Sequence, residues 1–115
     1  MKLTREQILN LSGQSLVEAV AEKVMGWETP RHFPGKTWNP LTSENHLAEV
    51  REKMIERGYW YYAGAGKKYG RLRKDEVEIY VSFKKDDHSN IAEFKGSDYP
   101  TTLLRAALLA VSEVE

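Results

Sequence analysis

Val77, Ile79, Val81 and Phe83 alternate with Glu78, Tyr80 and Ser82, and this is the clearest periodic signal in the chain. Successive side chains of a strand point to opposite faces, so the run describes a strand with one apolar and one more polar side. Such a strand cannot stand alone: it needs neighbouring strands and a cover over its apolar face. Both are at hand. Upstream, Tyr59-Trp60-Tyr61-Tyr62 is wholly aromatic and has high strand propensity. Downstream, Lys84-Lys85-Asp86-Asp87-His88-Ser89 reads as a turn, and the chain returns through 91–95 with Ala92 and Phe94 inward. The pattern predicts an antiparallel meander of three strands.

The cover comes from helices. Thr4-Arg5-Glu6-Gln7 matches a capping box and opens a short helix over 5–10. Ser12 or Ser15 caps a second helix that runs to Met25. Leu16, Val20 and Val24 form its stripe, with Val17, Ala21 and Met25 beside them and Gly26 as terminator. Thr42 or Ser43 caps a third helix with Leu47, Val50 and Met54 on its buried side, Ile55 at the margin, and Gly58 as its stop. Pro100 suits the first turn of a last helix. Leu104, Ala107, Leu108 and Val111 make its packing stripe, which Leu103 and Val114 widen. The order α-α-α-β-β-β-α places the chain in the α+β class, as one domain over 1–115.

Composition narrows the function classes. A chain of 115 residues buries roughly two-thirds of its unfolded surface, enough for a core without staples. No cysteine is present, so disulfides, thiolate nucleophiles and Cys-ligated zinc are excluded. No apolar run approaches the roughly 20 residues that span a bilayer. The start Met1-Lys2-Leu3-Thr4-Arg5-Glu6 lacks the apolar stretch of a signal peptide, and a cytoplasmic protein with no membrane partner is expected. Seventeen basic residues balance seventeen acidic ones. Both halves are neutral, eight against eight through Gly58 and nine against nine after it. Any attraction to nucleic acid must therefore come from a local patch.

Two segments have the composition of a site. Residues 27–41 hold three of the four prolines and two of the three tryptophans. Trp27, Arg31, His32, Phe33, Lys36, Trp38 and Asn39 mix large rings with donors suited to an anion, as ligand sites do. Two tryptophans covering helix ends would explain the rings without a ligand. The second segment is a basic hairpin. Lys67, Lys68, Arg71, Arg73 and Lys74 lie within eight residues beside Tyr69, with no acid between Tyr59 and Lys74. Cations neutralise phosphates and rings stack on bases, but a solvated loop tip accounts for the same residues. His32, His46 and His88 are scattered, and Asp86-Asp87-His88 sits in a predicted turn, so no metal site is assigned. No nucleophile elbow and no phosphate-binding glycine loop occurs, and neither an enzyme nor a cofactor is expected.

Three stretches resemble a family of small phage and prophage proteins with an α-β-α sandwich domain. Ala21-Glu22-Lys23-Val24-Met25-Gly26-Trp27 looks like its first main helix with the Gly-Trp that ends it. Trp38 with Thr42-Ser43 and the helix to Met54 looks like the second, and Pro100 with Arg105-Ala106-Ala107-Leu108 like the last. Here Glu44-Asn45 follows the cap where that family has an acidic and an aliphatic residue, and the 67–74 insertion has no counterpart. The resemblance implies a phage or prophage protein acting in the host cytosol on a host factor or signal; fold alone does not specify function. The first expectation is a non-catalytic module that binds a small anionic metabolite or nucleotide through Trp27, Arg31, His32, Lys36, Trp38, Asn39 and Arg105. The second is a nucleic-acid accessory protein using Lys67, Lys68, Tyr69, Arg71, Arg73 and Lys74. The third is a protein-interaction module in which Tyr80 and one side of 59–62 form an exposed patch, with a two-fold homodimer as the assembly.

Overall fold

A computed structural model describes residues 3–27, 38–67, 77–85 and 91–114. The elements are α1 (Arg5–Leu9), α2 (Gly13–Lys23), α3 (Glu44–Glu56), β1 (Tyr59–Lys67), β2 (Val77–Lys85), β3 (Ile91–Gly96) and α4 (Tyr99–Val114). This is the α-α-α-β-β-β-α order that the patterning predicts. The strands form one antiparallel sheet, ordered β1-β2-β3.

The helix starts follow their caps. Thr4 Oγ1 accepts from Gln7 N–H (3.1 Å), and Gln7 Oε1 accepts from Thr4 N–H (2.9 Å), a reciprocal box. Ser43 Oγ accepts from His46 N–H (3.3 Å) at the head of α3. Asp98 heads α4 through Thr101 N–H (3.1 Å) and the Thr101 hydroxyl. The stops follow their glycines. Gly26 (φ +78°) lets Trp27 N–H reach back to Ala21 O (2.9 Å), and Gly58 (φ +98°) turns α3 into β1. Both sit in the left-handed region, where a side chain costs energy.

The helices lie over one side of the sheet. Val81, Phe83, Ala92 and Phe94 point into them and are buried, as the alternation requires. Directly on this face lie α4, against β2 and β3, and α3, against β1. On the far side of α4 lies α2, which presents Leu16, Val17, Val20 and Ala21. Sandwiched in this way, α4 is buried from Leu103 through Ser112 except at Arg105, a wider burial than one stripe. The ends are tied as well. Arg57 donates to Lys23 O and Val24 O (3.1 Å each), capping α2 from the end of α3, and Tyr59 OH donates to Ala110 O (3.2 Å). Among the described residues no helix is long and apolar enough to cross a membrane.

Four local expectations change. β1 continues through Ala63-Gly64-Ala65-Gly66 to Lys67, because the register with β2 runs from Tyr59↔Lys85 to Lys67↔Val77. Ladder pairing here overrides the poor strand propensity of glycine. β2 likewise takes in Lys84 and Lys85, which read as turn residues. Ile55 is exposed rather than buried: it follows Met54 by about 100° on the helix and so leaves the buried stripe. Ser82, on the polar side of its strand, is buried because it sits in the central strand between Tyr62 and Glu93.

Candidate functional site

The ends of the proline-rich loop are built into the fold. Trp38 is buried, meets the edge of Trp27 (centroids 4.9 Å apart), and donates its indole N–H to Glu49 Oε2 (3.3 Å). Asn39 organises the turn that follows. Its backbone N–H donates to His46 Nδ1 (3.0 Å), its Oδ1 accepts from Leu41 N–H (3.0 Å), and its carbonyl accepts from Thr42 N–H and Ser43 N–H. The bond to Nδ1 fixes the neutral tautomer of His46 with its proton on Nε2. Trp27, Trp38 and Asn39 thus come together, on α3, and their partners His46 and Glu49 carry no sequence signal beyond lying one and two turns into that helix. Arg31, His32, Phe33 and Lys36 lie outside the described residues.

Arg105 is elsewhere. Its Nη2 donates to Leu11 O (3.1 Å) and Leu9 O (3.4 Å), where α1 passes into α2. That is the opposite end of α2 from Trp27, separated by the length of the helix, roughly 16 Å. Its role in the fold is to hold the orphan carbonyls of a helix end. Of the basic hairpin, Lys67 is the last residue of β1; Lys68, Tyr69, Arg71, Arg73 and Lys74 lie outside the described residues. Among the described residues no three of His, Asp and Glu gather to form a metal site.

A polar chain that sequence spacing does not show joins three elements. Glu44 Oε1 accepts from Arg51 Nη2 (3.0 Å), Arg51 Nη1 donates to Tyr99 OH (2.9 Å), and the Tyr99 and Tyr61 hydroxyls share a hydrogen bond in which either can donate. Burial and the bond to Tyr99 hold the Tyr61 phenol well above the usual tyrosine range. Desolvation opposes the charge on Arg51, but the hydrogen bonds to Glu44 and Tyr99 outweigh it and raise its pKa. The chain clamps the start of α4 to α3 and β1.

Among the described residues no element covers the other side of the sheet. Parity along the three strands places Trp60, Tyr62 and Gly64 of β1, Glu78, Tyr80, Ser82 and Lys84 of β2, and Ile91, Glu93 and Lys95 of β3 on it. Four large apolar side chains stand exposed there: Trp60 (59%), Tyr62 (52%), Ile91 (52%) and Tyr80 (40%). Tyr80 leans across its partner Gly64, whose missing Cβ would lie 2.4 Å from the Tyr80 hydroxyl. The ring therefore occupies the place a side chain at 64 would take. Trp60, Tyr62 and the Tyr80 ring form a row along β1, at steps of roughly 7 Å. The charges around them balance, Lys84 and Lys95 against Glu78 and Glu93. Tyr80 and one side of 59–62 are exposed as the alternation implies, and Ile91 extends the patch.

Comparison with known proteins returns nothing: no family model, no curated protein and no solved structure matches this chain. What the surface can do has to be read from its own geometry.

Proposed function

We propose that this protein is a non-catalytic interaction module that docks another protein on the open face of its sheet. The observation that carries the reading is the exposure of Trp60, Tyr62, Tyr80 and Ile91 on one unpartnered face. Large apolar patches rimmed by polar groups mark interfaces, and tryptophan and tyrosine dominate the energy of those interfaces. The described end of the loop supports a ligand site less well, because the Trp38 indole N–H and the Asn39 backbone N–H and Oδ1 are spent on the chain itself. The balanced rim fits a protein surface that offers an apolar stripe flanked by both signs of charge. A polyanion would gain little from it. A host protein, as the phage-family resemblance implies, falls within this class.

One observation favours a second reading. The row of three rings leads towards Lys67 and a connecting segment with four more cations, an arrangement suited to single-stranded nucleic acid.

The test starts in the cell that makes the protein. A photoreactive residue in place of Tyr62 should yield one discrete protein adduct, and the same residue in place of the exposed Gln14 on α2 should yield none. With the purified partner, the double variant Trp60→Ser/Tyr62→Ser should bind at least about a hundredfold more weakly, because each such anchor contributes about 2 kcal/mol. Equal adducts at both positions, or unchanged affinity, would refute the docking face. Oligonucleotide binding that weakens steeply with salt and is lost in the double variant would replace it with the second reading.

A further inference from the structure

The sheet has two edges, and among the described residues only one of them is protected. The β3 edge is short, carries Glu93 and Lys95, and has α1 beside it: the Arg5 guanidinium lies 4.4 Å from the centre of the Phe94 ring. Arg5 and Leu9 also line a groove of about 590 Å³ with Ile91, Glu93, Phe94 and Lys95. Charge, shortness and a covering element are the usual ways of keeping an edge from pairing. Among the described residues the β1 edge has no covering element, and it is not short. It is nine residues long and has no charge and no proline from Tyr59 to Gly66, and among the described residues no strand pairs with its outer side. An apolar hollow of about 410 Å³, lined by Ile55, Gly58, Tyr59, Trp60 and Tyr61, opens at its start.

We infer that β1 pairs antiparallel with β1 of a second copy, with Ala63 on the two-fold axis, to give a continuous six-stranded sheet. This goes beyond the docking reading, which uses the face of the sheet and not its edge. The side-chain sizes along β1 carry the argument. Four large residues, Tyr59-Trp60-Tyr61-Tyr62, are followed by four small ones, Ala63-Gly64-Ala65-Gly66. Keep the helices of both copies on one side and centre the pairing on Ala63. Trp60 then lies opposite Gly66 of the second copy, Tyr61 opposite Ala65, Tyr62 opposite Gly64, and Tyr59 opposite Lys67. Trp60, Tyr61 and Tyr62 each come opposite a small residue, and no like charges oppose each other. A shift of the centre to Tyr62 would stack that ring on its own copy. Tyr62 of the second copy also arrives beside the Tyr80 ring that already lies over Gly64, which extends the aromatic row across the axis. Two-fold dimers are the commonest closed assemblies. One strand pair is a small interface, so the expected dissociation constant is about 1–100 µM.

Sedimentation of the full chain from about 1 to 500 µM, a span that brackets this range, should show the mass climb from 13.2 kDa towards twice that value. Ala63 is exposed, so its substitutions leave the fold intact. Ala63→Lys places two ammonium groups across the axis and should weaken association at least about tenfold. Ala63→Glu should do the same. An equimolar mixture of the two should restore a dimer at least as tight as the parent, which a misfolded variant could not do. Hydrogen exchange supplies a measurement without mutation: protection of the 60–66 amides should rise with protein concentration. A parent chain that stays at 13.2 kDa with concentration-independent exchange would overturn the inference. So would an Ala63→Lys chain that dimerises like the parent, or a mixture that restores nothing. Ala63→Lys leaves Trp60, Tyr62 and Tyr80 in place, so it should bind a partner of the open face as before. Failure of the dimer and failure of the docking face are therefore separate results.

Discussion

Tyr61→Phe tests the polar clamp through its pH dependence. At neutral pH the substitution removes the hydroxyl that meets Tyr99 and leaves Arg51 still donating to Tyr99 OH. One net hydrogen bond contributes about 1 kcal/mol, which corresponds to a fall in Tm of about 4 °C for a chain of this size. The alkaline limb carries the sharper test. The folded chain holds the Tyr61 proton more tightly than the unfolded chain, through burial first and the bond to Tyr99 second. The stabilisation is therefore complete below the ordinary tyrosine value of 10.0 and drains away as pH rises above it. One proton gives at most about 1.4 kcal/mol per pH unit, and solvent screening of the partly exposed Tyr61 narrows the pH window above 10.0 over which that slope applies. The advantage of the parent over Tyr61→Phe, about 1 kcal/mol, should thus vanish within about one pH unit above 10.0. Urea unfolding of both chains at pH 7, 9, 10 and 11, followed by far-ultraviolet circular dichroism, measures it. A difference that stays constant from pH 7 to 11, or grows, would refute the reasoning.

Trp38→Ala should cost about 3–4 kcal/mol, because it empties a buried site and leaves the carboxylate of Glu49 without its indole donor; denaturant titration at pH 7 reads this directly. Gly58→Ala should cost about 1–2 kcal/mol from backbone strain alone: φ is +98°, and the nearest atom to the added methyl is Lys85 Cε at 3.8 Å, so a smaller loss in Tm would count against that cause.

Much of the fold was legible because its signals are local. The alternation through Val81 and Phe83 gives the covered face of the central strand, and Thr4, Ser43, Gly26 and Gly58 mark helix ends through chemistry that needs no distant partner. The length of β1 was not legible, because Ala63-Gly64-Ala65-Gly66 becomes a strand only through the ladder with β2. The extent of burial around α4 was hidden too, since it follows from α2 packing behind that helix. The exposed rings at 60, 62 and 80 follow from parity alone, and Ile91 shares that parity with Glu93 and Lys95. The Tyr61–Tyr99–Arg51–Glu44 chain joins residues up to 55 positions apart, and nothing in their spacing announces it. The place of Arg105 was not legible either: its Nη2 donates to Leu9 O and Leu11 O, carbonyls nearly a hundred positions away in the chain.

The two surfaces meet at Gly64. A glycine inside a strand costs roughly 0.5–1 kcal/mol relative to alanine, and β1 carries two of them in three residues. The open face uses the first, since only a missing Cβ lets the Tyr80 ring lie across β1 and complete the row with Trp60 and Tyr62. The edge uses both, since Gly64 and Gly66 are the positions opposite Tyr62 and Trp60 of the second copy. Pairing through the edge leaves the open face uncovered and sets two such rows side by side on one six-stranded sheet. A partner that is itself two-fold, or that repeats its docking segment, would then engage both rows, with the gain in avidity that linked sites provide. The dimer and the docking face thus reinforce each other physically, though each stands or falls by its own measurement.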